Sequence, residues 1–175
     1  MWGTVEVDLP HLLRPILNEL GITVLEGDVA RVPVVRTSGE ADSEGGQGIW
    51  LVGISCTREL DVAGARLRSL LTGLPPEEFS LLLYHTPDLM PQAAAVGVDL
   101  YLAGHTHGGQ WRLPGFGAIL TSSQYWKRYE AGLYTEADTR LYVSRGLGME
   151  GFGTPRARFF CPPEVVAITL CGEGE

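Results

Sequence analysis

Two histidines sit one residue apart in Gly104-His105-Thr106-His107-Gly108-Gly109-Gln110, directly after the apolar run Val98-Asp99-Leu100-Tyr101-Leu102-Ala103. In an extended backbone, residues i and i+2 point to the same side. The spacing therefore predicts two imidazoles facing one site, with the surrounding glycines leaving room for ions. A third histidine, His85, ends a second apolar run, Phe79-Ser80-Leu81-Leu82-Leu83-Tyr84. Imidazole is the commonest protein ligand for transition metals. Three of the four histidines thus sit at strand ends in a pattern that suits a metal centre. The competing reading is structural histidines satisfied within the core.

The elements that must hold these residues follow from periodicity. Leu9 to Leu20 repeats leucine and isoleucine at helical spacing, with Pro10 in its first turn and Gly21 at its end. Ile22–Leu25 and Arg31–Val35 predict short strands around the turn Glu26-Gly27-Asp28. Ser38 to Gly48 is rich in Gly, Ser and acids, hence a surface loop. Ile49–Ile54 suits a buried strand, and Asp61 is placed to cap a helix carrying Ala65, Leu67, Leu70 and Leu71. A helix from about Pro87 to Val96 separates the two histidine-bearing strands. Gly108 to Arg140 reads as long and irregular, with Trp111, Phe116, Tyr125, Trp126, Tyr129 and Tyr134. Leu141–Ser144 and Val165–Leu170 predict closing strands. Alternating strands and helices imply an α/β layered domain, whose chemistry belongs on loops at strand ends.

Composition narrows the classes. The 175 residues suffice for one domain with a real core, and 45% hydrophobic with 19% charged residues describes a globular chain. The formal net charge of -8, with Lys127 the only lysine, argues against a nucleic-acid surface. Cys56, Cys161 and Cys171 form neither a zinc pattern nor a disulfide framework, so buried free thiols in a reducing compartment are expected. No apolar stretch reaches the ~18 residues of a membrane span, and the first residues do not read as a signal peptide, so cytoplasmic residence is expected.

Four segments in order carry a resemblance: Tyr84-His85-Thr86-Pro87-Asp88, the Gly104–Gln110 heptad, Tyr142-Val143-Ser144-Arg145-Gly146-Leu147-Gly148, and Phe160-Cys161-Pro162-Pro163-Glu164. Together they resemble the calcineurin-type metallophosphoesterases, in the bacterial branch marked by GHTHGGQ. The resemblance implies an α/β chain that forms the C-terminal part of a four-layer α/β/β/α sandwich, with residues 1–175 a single, partial domain. It implies a site of two divalent ions (Mn, Fe or Zn), with His85 and His105 on one ion and His107 on the other. The implied reaction is hydrolysis of phosphomonoesters or phosphodiesters by metal-activated hydroxide.

The family's earlier motifs, Asp-x-His, Gly-Asp and Gly-Asn-His-Asp/Glu, do not appear. Asn18 is the only asparagine, and it lies within the first predicted helix. Asp28 in Gly27-Asp28 reads either as the bridging carboxylate or as an ordinary turn residue. Trp2-Gly3-Thr4 resembles family sequence just beyond the Asn turn, so Met1 is expected to start inside a larger ancestral domain. A truncated product, one half of a split protein and a degenerate relative all fit. The family's proton-donating histidine belongs to the missing Asn motif, which leaves the catalytic residue unknown and the isolated chain impaired. The alternative function is a non-catalytic metal-binding or interaction module.

Several residues keep two readings. Arg145 contacts a substrate phosphate or pairs with a buried carboxylate. Asp88 orients His85 or stands as a helix N-terminal acid. The aromatic stretch covers an apolar substrate, a lipid or a membrane surface, or packs in the core. Expected partners are a phosphate-ester substrate and a partner chain or second copy pairing at an exposed sheet edge. An N-terminal anchor of the kind many relatives carry would make the protein membrane-associated.

Overall fold

A computed structural model describes residues 10–34, 48–151 and 156–171. The surface loop expected at Ser38–Gly48, all but its last residue, and the opening Trp2-Gly3-Thr4 lie outside the described residues. The order is α1 (Pro10–Glu19), β1 (Asp28–Pro33), β2 (Gly48–Gly53), α2 (Leu60–Leu71), β3 (Phe79–Leu83), α3 (Met90–Ala95), β4 (Leu100–Ala103), β5 (Arg112–Leu113), β6 (Gly117–Ala118), β7 (Gly132–Glu136) and β8 (Thr139–Val143). A six-stranded sheet runs β1-β2-β3-β4-β8-β7, and β5-β6 form a separate ribbon. Strands β2, β3, β4 and β8 are mutually parallel, while β1 and β7 are antiparallel edges. The chain is thus α/β with a largely parallel central sheet.

Period-two burial follows from the strand geometry. Val52, Leu82, Tyr101 and Leu141 are cross-strand neighbours and are fully buried together. They form the core with Ala63 and Leu67 of α2, Met90 and Ala93 of α3, and Tyr129. Leu51, Leu81, Leu83 and Leu102, pointing to the opposite face, are only half-buried. Asp99 fixes the start of the β3–β4 pair: its carboxylate accepts from Ser80 N and from Ser80 Oγ, both at 2.8 Å. Arg31 of β1 grips Glu78 at 2.7 and 3.1 Å, which ties the edge strand to the turn before β3.

Several expectations are corrected. Residues 22–25 are irregular, and the strand begins at Asp28, where Gly27 N donates to Gly53 O at 2.8 Å instead. Asp61 lies inside the first turn of α2; Glu59 occupies the cap position, and no side chain caps it. The supposedly irregular stretch contains β5, β6 and the whole of β7. Val165–Leu170 is not a strand: it has no strand neighbour among the described residues, and Val165 is 83% exposed. An apolar pattern makes a strand only when another strand satisfies its backbone groups. Of the cysteines, Cys161 is buried, Cys56 half-buried and Cys171 exposed, so burial does not hold for all three. Among the described residues no helix is long and apolar enough to cross a membrane.

Helix α2 tests which face carries the stability. Leu67 is fully buried, whereas Val62 is 57% exposed. Leu67→Ala is expected to cost about 2–5 kcal/mol and Val62→Ala less than about 1 kcal/mol, read from urea unfolding. Equal losses would contradict the assignment of the buried face.

Candidate metal centre

Strands β3 and β4 leave the sheet side by side at their C-terminal ends. Their ladder continues past the strands, because Gly104 N donates to His85 O at 2.9 Å. Strand β8 joins them, with Ser144 N donating to Ala103 O at 2.8 Å. Three adjacent parallel strands therefore deliver His85, His105 and the Ser144–Gly148 loop to one sheet edge, the usual place for chemistry in open α/β sheets.

The structure brings His85 and His105 together. His85 Nε2 lies 3.2 Å from His105 Nδ1, and the rings meet edge to face at 4.9 Å. Burial pulls His85 down to about 4, reinforced by the neighbouring imidazoles of His105 and His107. His105 is also lowered, chiefly by burial, against the pull of the Glu150 and Asp88 carboxylates. Both rings are neutral at pH 7, the form that binds a metal.

His107 does not join them as the i, i+2 rule requires. The backbone here is not extended: His105 has φ +69° and His107 +49°, and a 3₁₀ turn runs His107–Gly109. His107 Nε2 instead lies 3.6 Å from Glu150 Oε1. Sequence reading missed Glu150, whose place depends on Gln110. Gln110 Nε2 donates to Glu150 O at 2.8 Å, and Glu150 N donates to Gln110 Oε1 at 2.7 Å.

Of the surrounding glycines, a Cβ on Gly104 would face only Ser144 O at 3.8 Å, whereas Gly108 and Gly109 are packed against protein. A side chain on Gly108 would meet Arg145 Cγ at 2.7 Å and Cys161 Sγ at 2.8 Å, and one on Gly109 would collide with Ala118 and Leu120. Both have positive φ and permit close packing of protein on the side a Cβ would occupy. Thr106, buried beneath the loop, donates to Glu130 O at 2.8 Å and accepts from Gly108 N at 3.3 Å.

Arg145 pairs with a carboxylate. Its Nε and backbone N each donate to Glu164 at 2.8 Å, and its Nη2 bonds the same group. Burial alone would raise the Glu164 carboxyl, but Arg145 holds it below the ordinary range. Arg158, which sequence reading also missed, clamps the loops from below. It donates to carbonyls of His107 (3.2 Å), Cys161 (3.3 Å), Arg145 (2.7 Å), Gly146 (3.1 Å) and Gly148 (2.6 Å). Only its position just before the Phe160–Glu164 segment hinted at this role.

The remaining candidates resolve as structural residues. Asp88 accepts from Ser123 Oγ at 2.5 Å and Gln124 N at 3.0 Å, tying down the loop after the β5–β6 ribbon instead of orienting His85. Asp28 lies at an exposed turn 4.0 Å from Arg14. Tyr125, Tyr129 and Tyr134 stack edge to face against the core, while Phe116 and Trp126 are exposed.

Two neutral imidazole nitrogens face one another, which suits one edge of a coordination sphere. A catalytic zinc site takes three protein ligands. Among the described residues no group of three or more His, Cys, Asp or Glu comes together as a metal site. The residues present are therefore a partial ligand set.

A mostly parallel sheet with paired imidazoles at its C-terminal edge makes this an α/β chain with two histidines brought together on loops at strand ends. By the following matches, the chain belongs to the calcineurin-like metallophosphoesterase family. A Bacillus subtilis (strain 168) protein described as an uncharacterized metallophosphoesterase, YkuE, is 43% identical over 100 residues, 57% of this chain and 34% of its own length. An Aquifex aeolicus (strain VF5) protein, likewise described as an uncharacterized metallophosphoesterase, is 30% identical over 162 residues, 90% of this chain and 54% of its own. The Escherichia coli (strain K12) phosphodiesterase YaeI is 39% identical over 90 residues, 51% of this chain and 32% of its own. The matched stretch thus spans about a third to a half of these relatives. No family model matches the chain. No solved structure matches it.

The half-buried imidazole pair sets a pH dependence. An unfolded histidine titrates near 6.5. His85 titrates at about 4 in the folded chain, so between these values the unfolded state binds a proton that the folded state does not. Its contribution to stability is whole above about pH 6.5 and is lost as pH falls toward 4. The melting temperature in chelator should drop from pH 7 to pH 5, and His85→Asn should flatten part of that slope. An unchanged slope in the variant would contradict the assignment.

Proposed function

We propose that this chain carries the histidine part of a metal-dependent phosphoesterase site acting on phosphomonoesters or phosphodiesters. The observation that supports it is the approach of His85 Nε2 to within 3.2 Å of His105 Nδ1 at the ends of adjacent parallel strands. The names of the relatives point the same way. Divalent ions (Mn, Fe or Zn), when bound, would offset the charge of the phosphate and make water a nucleophile near neutral pH. The protein's own part is to present ligands. His85 and His105 would hold one ion, kept neutral by burial so that no proton competes. His107 would hold the second after leaving Glu150. Arg145, held by Glu164, fixes the Ser144–Gly148 loop beside them. No residue here is assigned as proton donor, and the isolated chain is expected to be weakly active.

Elemental analysis of the purified chain, without chelator, tests the metal. His85→Ala and His105→Ala should each weaken binding of Mn²⁺ or Zn²⁺ by more than the ~10–100-fold that losing a supporting neighbour of a ligand costs. Absence of metal after loading, or binding indifferent to both substitutions, overturns the proposal. Turnover of bis(p-nitrophenyl) phosphate by the chain alone at an ordinary ~1–10³ s⁻¹ overturns the expected impairment.

A second reading, a non-catalytic module or one half of a split enzyme, is favoured by a separate observation. The half-buried face of Leu51, Leu81, Leu83 and Leu102 is apolar surface suited to a partner chain or second copy. Light scattering after gel filtration should then give more than one chain mass. A monomer at all concentrations, with no change on adding a phosphoesterase fragment bearing the Asp and Asn motifs, removes that reading.

A further inference from the structure

A cleft of about 540 Å³ opens beside His107. That volume lies within the ~300–1,000 Å³ range of small-ligand pockets. Its lining combines two chemistries: Trp111, Ile119 and Leu120 are apolar, while Thr106, His107, Gln110, Thr121, Ser122 and Glu150 are polar. Ile119 is 41% and Leu120 55% exposed, so neither is consumed by the core. Trp111 stacks on Phe159 at 5.9 Å, which braces it, and its buried indole N–H has no acceptor among the described residues. The cleft is joined to the paired imidazoles through the backbone, because Ser122 Oγ donates to His105 O at 3.2 Å.

We propose that this cleft takes the apolar ester group of a phosphoester, with the phosphate beside His107. The proposal rests on the phosphoesterase reading and adds the class of substrate: an alkyl or aryl ester, not a sugar or nucleotide ester. The walls carry the argument. A sugar or nucleotide ester group needs several hydrogen-bonding partners in place of water; Trp111, Ile119 and Leu120 offer a single N–H among them, and the Thr106, Gln110 and Thr121 side chains already bond Glu130 O, the Glu150 backbone and Trp126 O. An alkyl chain needs none and gains from leaving water. The occupant's phosphate must also approach the Glu150 carboxylate, which repels it unless a cation lies nearby. The apolar lining therefore supplies most of the binding when metal is absent.

Calorimetric titration of the metal-free chain with ethyl, butyl and hexyl phosphate tests this directly. Each added methylene buried in the cleft should tighten binding about fourfold. Hexanol should bind, and inorganic phosphate should not. Leu120→Asp and Ile119→Ser alter exposed side chains, so the melting temperature should hold while the dependence on chain length collapses. Glu150→Gln should tighten every alkyl phosphate by a common factor and leave the step per methylene unchanged. Equal affinity along the series, or a series indifferent to both wall substitutions, overturns the proposal. So does sedimentation showing a dimer that Leu120→Asp dissociates, since the cleft would then be an interface between copies. Co-sedimentation with phosphatidic acid vesicles separates a lipid source from a free ester; binding to either supports the apolar-ester class. Chain-length dependence without metal binding would sustain the cleft while the phosphoesterase reading fails. Turnover of bis(p-nitrophenyl) phosphate in a partner-completed site without chain-length dependence would do the reverse.

Discussion

The site depends on the parallel pairing of β3 with β4. Asp99 pins the pair at its start by accepting two hydrogen bonds from Ser80, and His85 O accepts from Gly104 N beyond its end. Between these points the register Leu81↔Leu100, Leu82↔Tyr101, Leu83↔Leu102 is fixed by which leucines enter the core. A slip of one residue would turn Leu82 and Tyr101 out of the core and carry His85 away from His105. The same hydrophobic burial that stabilises the sheet therefore sets the spacing of the two imidazoles. Desolvation follows from that placement and, with the neighbouring imidazoles, it keeps both rings neutral.

The loop after β4 has a different basis. His105, His107 and Gln110 all take positive φ, a conformation that side chains other than glycine adopt at a cost. Such strain persists only where the surroundings hold it. Here Thr106 is fixed to Glu130 O, Gln110 to both backbone groups of Glu150, and Arg158 to the His107 carbonyl. Arg158 spends its donors on five carbonyls, so its full positive charge lies beneath the loop without a carboxylate partner among those bonds.

Local pattern made part of this readable in the sequence. Apolar runs ending in histidine correctly marked β3 and β4, because central parallel strands with one face buried and the other half-buried are apolar on both faces. The rule that failed for His105 and His107 assumes an extended chain, and only the tertiary clamp of Arg158 and Thr106 shows that the chain turns. The β7–β8 hairpin escaped notice because its turn uses Ala137 at φ +49° where Gly or Asn would signal it. Glu150 lies 40 residues from Gln110, and no local pattern joins them. Val165–Leu170 shows the converse: strong strand propensity with no neighbour to pair with.

The donor set also constrains which ion suits the site. His85 and His105 contribute nitrogen and no charge, so an ion held by them keeps its full positive charge. Hard ions such as Mg²⁺ and Ca²⁺ prefer oxygen ligands and gain little from two imidazoles. Affinity of a nitrogen set rises from Mn²⁺ toward Zn²⁺ along the Irving–Williams order. Asp88 is occupied by Ser123 and Gln124, which leaves Glu150 as the carboxylate beside the imidazoles. One carboxylate cannot neutralise two divalent ions and also let a dianionic phosphate approach on balanced terms. Among the described residues the two imidazoles do not complete a coordination sphere, so an ion at this edge would need ligands beyond those described.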